Sequence, residues 1–174
     1  MRFLATLPLL LVPPVEPPSV ELWSVGPVQA TTITRPSPRS DLADSLEVLH
    51  AWDARRARAW AGADPSALRS LYVRGSAAGR ADVRLLRAYE QRGVVVRHLV
   101  TQVFAVRVQH RDAETLRLTV FDRVAGGQVV HAGQKTPMRS SRPVTRTVTF
   151  RRVWGSWRVG GVSRSGRGPH AARP

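Results

Sequence analysis

The chain has 174 residues, room for one domain plus tails, and its 43% hydrophobic residues can build a core. It contains no cysteine, which excludes disulfides, thiolate metal sites and thiol nucleophiles. The formal net charge is +15, and of the 27 basic residues only Lys135 is a lysine. That arginine surplus fits either a GC-rich codon supply scattered over a solvated surface, the blander account, or an anionic partner such as a wall polymer or lipid.

The N-terminal stretch opens with Met1-Arg2 and an apolar run, Phe3 to Val12. The run is too short to span a bilayer as a helix but has the length of a signal-peptide core. Val28-Gln29-Ala30 is a small-residue cleavage pattern, although Pro13, Pro14, Pro17 and Pro18 stand between the apolar run and this site. Residues 1–30 are therefore expected to be a leader, and export to the cell envelope or beyond is the expected localisation. Residues 31–41 are rich in Ser, Thr, Pro and Arg and read as a linker.

From Leu42 the apolar spacing becomes helical. Leu42, Leu46, Leu49, Trp52, Ala59 and Trp60 share one stripe, with Arg56 inside it and Asp53 at its edge, and Asp41 is a plausible N-cap. Gly62 suits the end of this helix. Asp64-Pro65 starts a short second one, with an aspartate cap and proline at the first helical position. Residues 74–79 read as a turn. A third helix is expected from about Arg80 to Arg92, with Asp82, Leu85, Leu86 and Tyr89 on one face and Gly93 closing it.

After Gly93 the period changes to two. Val100, Gln102, Phe104, Val106 and Val108 alternate with more polar neighbours, which predicts a strand with those five on one face. Residues 115–124 form a second strand, with Leu116, Leu118 and Val120 on one side. Gly126-Gly127 is a hairpin signal, after which residues 128–132 return as a short strand and residues 133–142 form a polar loop. Residues 144–153 alternate again, Trp154 to Trp157 make a tight hairpin, and residues 158–162 are the last strand. Residues 163–174 are basic, poor in large apolar residues, and read as a disordered tail. Helices followed by hairpin-linked strands define an α+β fold, with helices packed on one face of a curved antiparallel sheet.

Two stretches carry a resemblance. RARAWAGADPSALRSLY, residues 56–72, and TVTFRRVWGSWRVGGV, residues 147–162, resemble the nuclear transport factor 2-like superfamily in layout and punctuation. This cystatin-like, cone-shaped fold includes SnoaL-like cyclases and ketosteroid isomerase. The resemblance spans residues 42–162 and is nearest to secreted, uncharacterised bacterial members that follow a leader and a linker. It implies a cone that, in catalytic members, holds Asp, His, Tyr or Arg.

The candidate pocket residues are Asp53, Arg56, Asp82, Tyr89, His98 and Gln102. Together they offer a carboxylate for acid–base work, a cation for an oxyanion and a phenol donor. The simpler alternative is that Arg56 is buried by its stem and pairs with Asp53 or Asp82 to fix helix to helix. A candidate basic face consists of Arg117, Arg146, Arg151, Arg152 and Arg158, with solvated arginines as the simpler account. The five histidines lack metal-ligand spacing, and no glycine-rich phosphate motif or GxSxG is present, so neither a metal nor a cofactor is expected.

The leading expectation is an exported, non-catalytic domain that binds a partner protein or a small ligand, with a homodimer through the outer sheet face. The alternatives are an isomerase, cyclase or dehydratase with a polar pocket, and an anionic-polymer binder using the arginine face. Nucleic acid is not an expected partner, and membrane attachment would come only through an uncleaved leader.

Overall fold

A computed structural model of the chain describes residues 38–164. The leader expected over residues 1–30 and most of the expected tail lie outside them. Eight elements follow in order: α1 (Pro38–Ala61), α2 (Pro65–Ser70), α3 (Ala77–Glu90), β1 (Val94–Arg111), β2 (Thr115–His131), β3 (Gln134–Pro137), β4 (Val144–Val153) and β5 (Ser156–Arg164). The α+β class expected from the sequence is the one observed.

The helix ends show how local chemistry sets the boundaries. α1 begins at Pro38, so Asp41 lies in its first turn rather than capping it, and residues 38–41 are helix rather than linker. The helix C-terminus does not use Gly62 for its left-handed residue; Ala63 takes it, at φ 46°. Asp64 caps α2 as expected, accepting hydrogen bonds from the backbone N–H groups of Ser66 and Ala67, both at 2.9 Å. α3 starts three residues before the expected Arg80 because the Ser76 hydroxyl accepts from the Gly79 N–H and caps it. Gly93, at φ 65°, leads from α3 into the sheet.

The sheet is antiparallel, with strand order β1-β2-β4-β5 and β3 paired to the far end of β2. β2 is the central strand and runs uninterrupted for 17 residues. Gly126-Gly127 is therefore not a hairpin. Gly127 sits within β2, and a Cβ there would meet the Arg97 carbonyl of β1 at 3.3 Å. The chain turns instead at Ala132-Gly133, at φ 46° and 78°, the two positive φ angles that a tight hairpin requires. Trp154-Gly155 repeats this geometry at φ 52° and 74°, as the sequence suggested.

β1 is 18 residues long and cannot stay straight over a small core. Its pairing with β2 is broken between Arg97 and Val100, between Val100 and Thr101, between Val103 and Ala105, and between Val108 and His110. Each irregularity bends the strand. The one between Val103 and Ala105 also changes its parity. Val106 and Val108 face the helices, but Val100, Gln102 and Phe104 face away, so the single five-residue face expected for this strand does not exist. Phe104 packs instead on Phe121, with ring centres 5.4 Å apart on the outer face.

The core lies between the helices and the inner sheet face. Leu49, Trp52 and Trp60 of α1 meet Leu116, Leu118 and Val120 of β2, Val148 and Phe150 of β4 and Val159 of β5. Trp52 contacts Tyr72 and Phe150 edge-on, with centroids 6.0 and 6.1 Å away. Tyr72 follows α2 in a segment that joins the sheet edge, where the Val73 N–H donates to the Val159 carbonyl and the Val159 N–H donates to that of Leu71, both at 2.9 Å. α3 closes over Tyr72 through Gly79, where an added Cβ would lie 2.7 Å from the tyrosine Cβ and Cγ.

That close approach yields a test. Alanine normally favours a helix by about 1 kcal/mol over glycine. Here Gly79→Ala forces α3 away from a buried ring, at a cost of about 1–3 kcal/mol. Urea unfolding should show a net loss of stability; a gain would mean that the helix moves without resistance.

Candidate functional site

Two polar clusters lie beneath the helices, and they divide the residues expected to line one pocket. The first ties the helices together. Arg56 of α1 donates to Asp82 of α3 through Nε and Nη2, each at 2.7 Å, and the Tyr72 hydroxyl donates to the same carboxylate at 2.7 Å. The Arg56 guanidinium lies between two tryptophans of its own helix, 6.0 Å from the Trp52 ring centre and 5.8 Å from that of Trp60. Burial works against its charge, but the hydrogen bonds and charge of Asp82 outweigh this and hold its pKa above the ordinary arginine value. Burial, reinforced by the Asp82 charge, likewise raises the Tyr72 phenol. Tyr89 packs edge-on against Trp60 at 5.7 Å. Arg56, Asp82 and Tyr89 are thus parts of the helix packing, the arrangement set out above as the simpler alternative.

The second cluster lies on the inner sheet face where β1, β2 and β4 meet α1. Asp122 continues the buried Leu116-Leu118-Val120 side of β2, and among the described residues it alone combines a formal charge with full burial. Arg146 of β4 donates to its Oδ2 from Nε at 3.0 Å and again from Nη2. Asp53 of α1 accepts from the Thr101 hydroxyl of β1 at 3.1 Å. Burial pushes the Asp122 carboxyl above its usual range; Arg146 pulls it back, and the nearby Asp53 charge adds to the upward shift. Val144, opposite Asp122 in the β2–β4 register, remains 39% exposed, so this end of the inner face opens to solvent.

The remaining expected residues do not converge here. His98 is exposed, at φ 53° in the first irregularity of β1. Gln102 is exposed on the outer face, where it accepts from Arg123 Nε at 2.9 Å. The expected basic face is also divided. Arg117, Arg151 and Arg152 are exposed, but Arg158 is half-buried. Arg146 points inward, because it shares parity with the buried Val148 and Phe150. Sequence reasoning missed Asp122, although its place two residues beyond Val120 in an alternating strand was the available signal. Among the described residues no cluster of three or more His, Asp or Glu is arranged to hold a metal ion, and no helix is long and apolar enough to cross a membrane.

No protein-family model matches the sequence, and no curated protein matches it. Solved structures do share the fold. A function-unknown protein from Mycobacterium tuberculosis is similar at TM-score 0.50 and 10% identity, covering 74% of this chain and 75% of that one. The protein Aln2 from a Streptomyces species is similar at TM-score 0.47 and 19% identity, covering 74% and 93%. A protein from Novosphingobium aromaticivorans, described as NTF2-like with a cystatin-like fold, is similar at TM-score 0.43 and 19% identity, covering 71% and 82%. The chain has the α+β fold expected from its sequence, three helices on one face of a curved five-stranded antiparallel sheet, and the structures similar to it include proteins described as NTF2-like.

The two clusters respond differently to mutation. Asp82→Ala leaves Arg56 charged and unpaired between two tryptophans and should cost about 3–5 kcal/mol. Replacing both partners, as Arg56→Met with Asp82→Leu, should recover most of that loss. Denaturant unfolding of the single and double variants checks this, and equal losses in both would show that the pair is not the determining contact.

Proposed function

We propose that this is an exported domain that binds a small polar ligand at the open end of the cone without transforming it. The observation that carries the reading is Asp122, a buried carboxylate on the inner face, flanked by Asp53 and Arg146 and lying next to the exposed Val144. A carboxylate so placed is costly unless something uses it. Val103 and Val124, on the same inner side of β1 and β2, supply apolar wall. The site suits a molecule with a carbonyl to accept from the Arg146 guanidinium and a hydroxyl to donate to Asp53.

Binding is favoured over turnover because each carboxylate already has a donor: Arg146 for Asp122, Thr101 for Asp53, and Arg56 with Tyr72 for Asp82. The apolar run and cleavage pattern of residues 1–30 support export. The raised Asp122 carboxyl favours the isomerase-type reading as the second choice, since a carboxyl that burial holds above its usual range is suited to proton transfer.

Protein-detected NMR with a panel of cyclic ketones and phenols tests the site. Shifts should concentrate on the amides of Thr101, Asp122, Val144 and Arg146 and should weaken at least tenfold in Arg146→Met. Shifts confined to other surfaces would sink the proposal. Appearance of a rearranged product in the same tubes would select the enzymatic reading.

The raised carboxyl has its own signature. The folded state keeps a proton on Asp122 at pH values where the unfolded chain has lost it. Stability contributed by this group therefore falls as pH rises from the ordinary carboxylate pKa of about 3.9 through the higher folded value. Asp122→Asn should flatten the melting-temperature profile in that window. A profile identical to that of the unaltered protein would mean that Asp122 titrates normally.

A further inference from the structure

The strongest unassigned feature lies outside the cone. A groove of about 630 Å³ runs between α2, the segment that follows it, α3 and β5. Its lining includes Arg69, Arg74, Arg80, Arg84, Arg87 and Arg158 and contains no Asp or Glu. Among the described residues, the arginines in ion pairs with carboxylates are Arg56, Arg111 and Arg146, none of which lines this groove. Like charges on neighbouring helix turns are mildly destabilising, yet Arg80, Arg84 and Arg87 are stacked along one side of α3.

We infer that this groove binds an organic molecule carrying two or more phosphoryl groups. Guanidinium forks match phosphoryl oxygens in geometry as well as charge. The three α3 arginines climb about 10 Å along the helix axis, from a rise of about 1.5 Å per residue. That span exceeds one tetrahedral anion and fits a chain of them. The floor supplies the remaining recognition: Val73, Val83 and Tyr72 present carbon rather than charge, a surface for an organic body. The volume lies within the range of about 300–1,000 Å³ usual for small-molecule sites. Part of the rim is already fixed, since Arg80 donates from Nη1 to the Gly75 carbonyl. The inference is independent of the cone site and shares no residue with it.

Titration calorimetry of the full chain in about 150 mM salt tests the groove, with ATP, inorganic tripolyphosphate, orthophosphate and adenosine as probes. ATP and tripolyphosphate should bind one per chain, orthophosphate at least about tenfold more weakly, and adenosine not detectably. ATP tighter than tripolyphosphate identifies the floor as a contact for the organic body; tripolyphosphate equal to or tighter than ATP would overturn the organic part of the assignment. The double variant Arg84→Glu/Arg87→Glu should lower ATP affinity at least about tenfold. Arg117→Glu/Arg152→Glu changes the net charge equally elsewhere and should leave affinity within about twofold. All four residues are exposed, and circular dichroism confirms folding of both variants. Equal weakening in the two variants would reduce the effect to general surface charge and overturn the site. So would no binding of ATP, or a single-stranded oligonucleotide that binds tighter than ATP and spans several chains.

Discussion

The helical half of this protein depends on one buried ion pair. Arg56 leaves α1 in the middle of a stripe that must otherwise be apolar, and it is tolerated there because Asp82 meets it with both oxygens. The contact joins α1 to α3, and Tyr72 brings in the segment after α2 through the same carboxylate. Tyr72 then connects to β5, since its neighbours Leu71 and Val73 pair with Val159. One carboxylate thus links three helical segments and, one step further, the sheet edge. Pairing with a desolvated charge also selects one register of α1 on α3, since a shift of one turn would leave Arg56 without a partner. Apolar side chains alone would resist such a shift less.

The sheet solves a different problem. A strand of 18 residues laid over a core of this size has to bend, and β1 does so by giving up regular pairing at four places. The irregularity between Val103 and Ala105 leaves Phe104 and Ala105 both exposed before the inward sequence resumes at Val106. Curvature and the polar cluster therefore have a common origin. The same bend that wraps the strand around α1 places the Thr101 hydroxyl within reach of Asp53. Opposite this region, residues 138–141 replace a regular strand beside β2, with Met138 donating to Gly127 and Ser141 to Val124, both at 2.9 Å. The edge is closed there without another full strand, and the inner face stays open at that end.

Much of this was legible in the sequence because it depends on local rules. Asp64-Pro65, the apolar stripe of α1, the alternation of residues 115–122 and 144–153, and the Trp154-Gly155 turn each act over a few residues. What was not legible depends on contacts between distant segments. Gly126-Gly127 has the composition of a turn, but the tight approach of β1 at Gly127 favours glycine inside a strand. Bulges leave no reliable signature in a single sequence, so the parity of β1 was lost after Val103, and Gln102 and Phe104 were placed on the wrong side. Asp122 and Arg146 are a more instructive case. Both obey the alternation of their strands, but its charge assigns Arg146 to an outward basic face and Asp122 draws no attention. Each is tolerable inside only because the other stands one strand away, a fact that belongs to the β2–β4 register and not to either strand alone.

The arginine content has the same division. Arg56, Arg111 and Arg146 are paired, and each joins elements far apart in sequence: α1 to α3, α1 to β1, and β2 to β4. A codon bias toward arginine would not by itself place these three opposite carboxylates, so their positions were selected by the fold. The groove arginines meet no such carboxylate: Arg84 and Arg87 stand with Arg80, which reaches the Gly75 carbonyl, on one side of a helix whose other side is committed to Asp82 and Leu86. α3 turns Asp82 inward to Arg56, which leaves its outer surface with Arg80, Arg84 and Arg87 against the single exposed acid Glu90. The ion pair that fixes the helices is therefore also what takes one of the two acids of α3 out of reach of its exposed arginines.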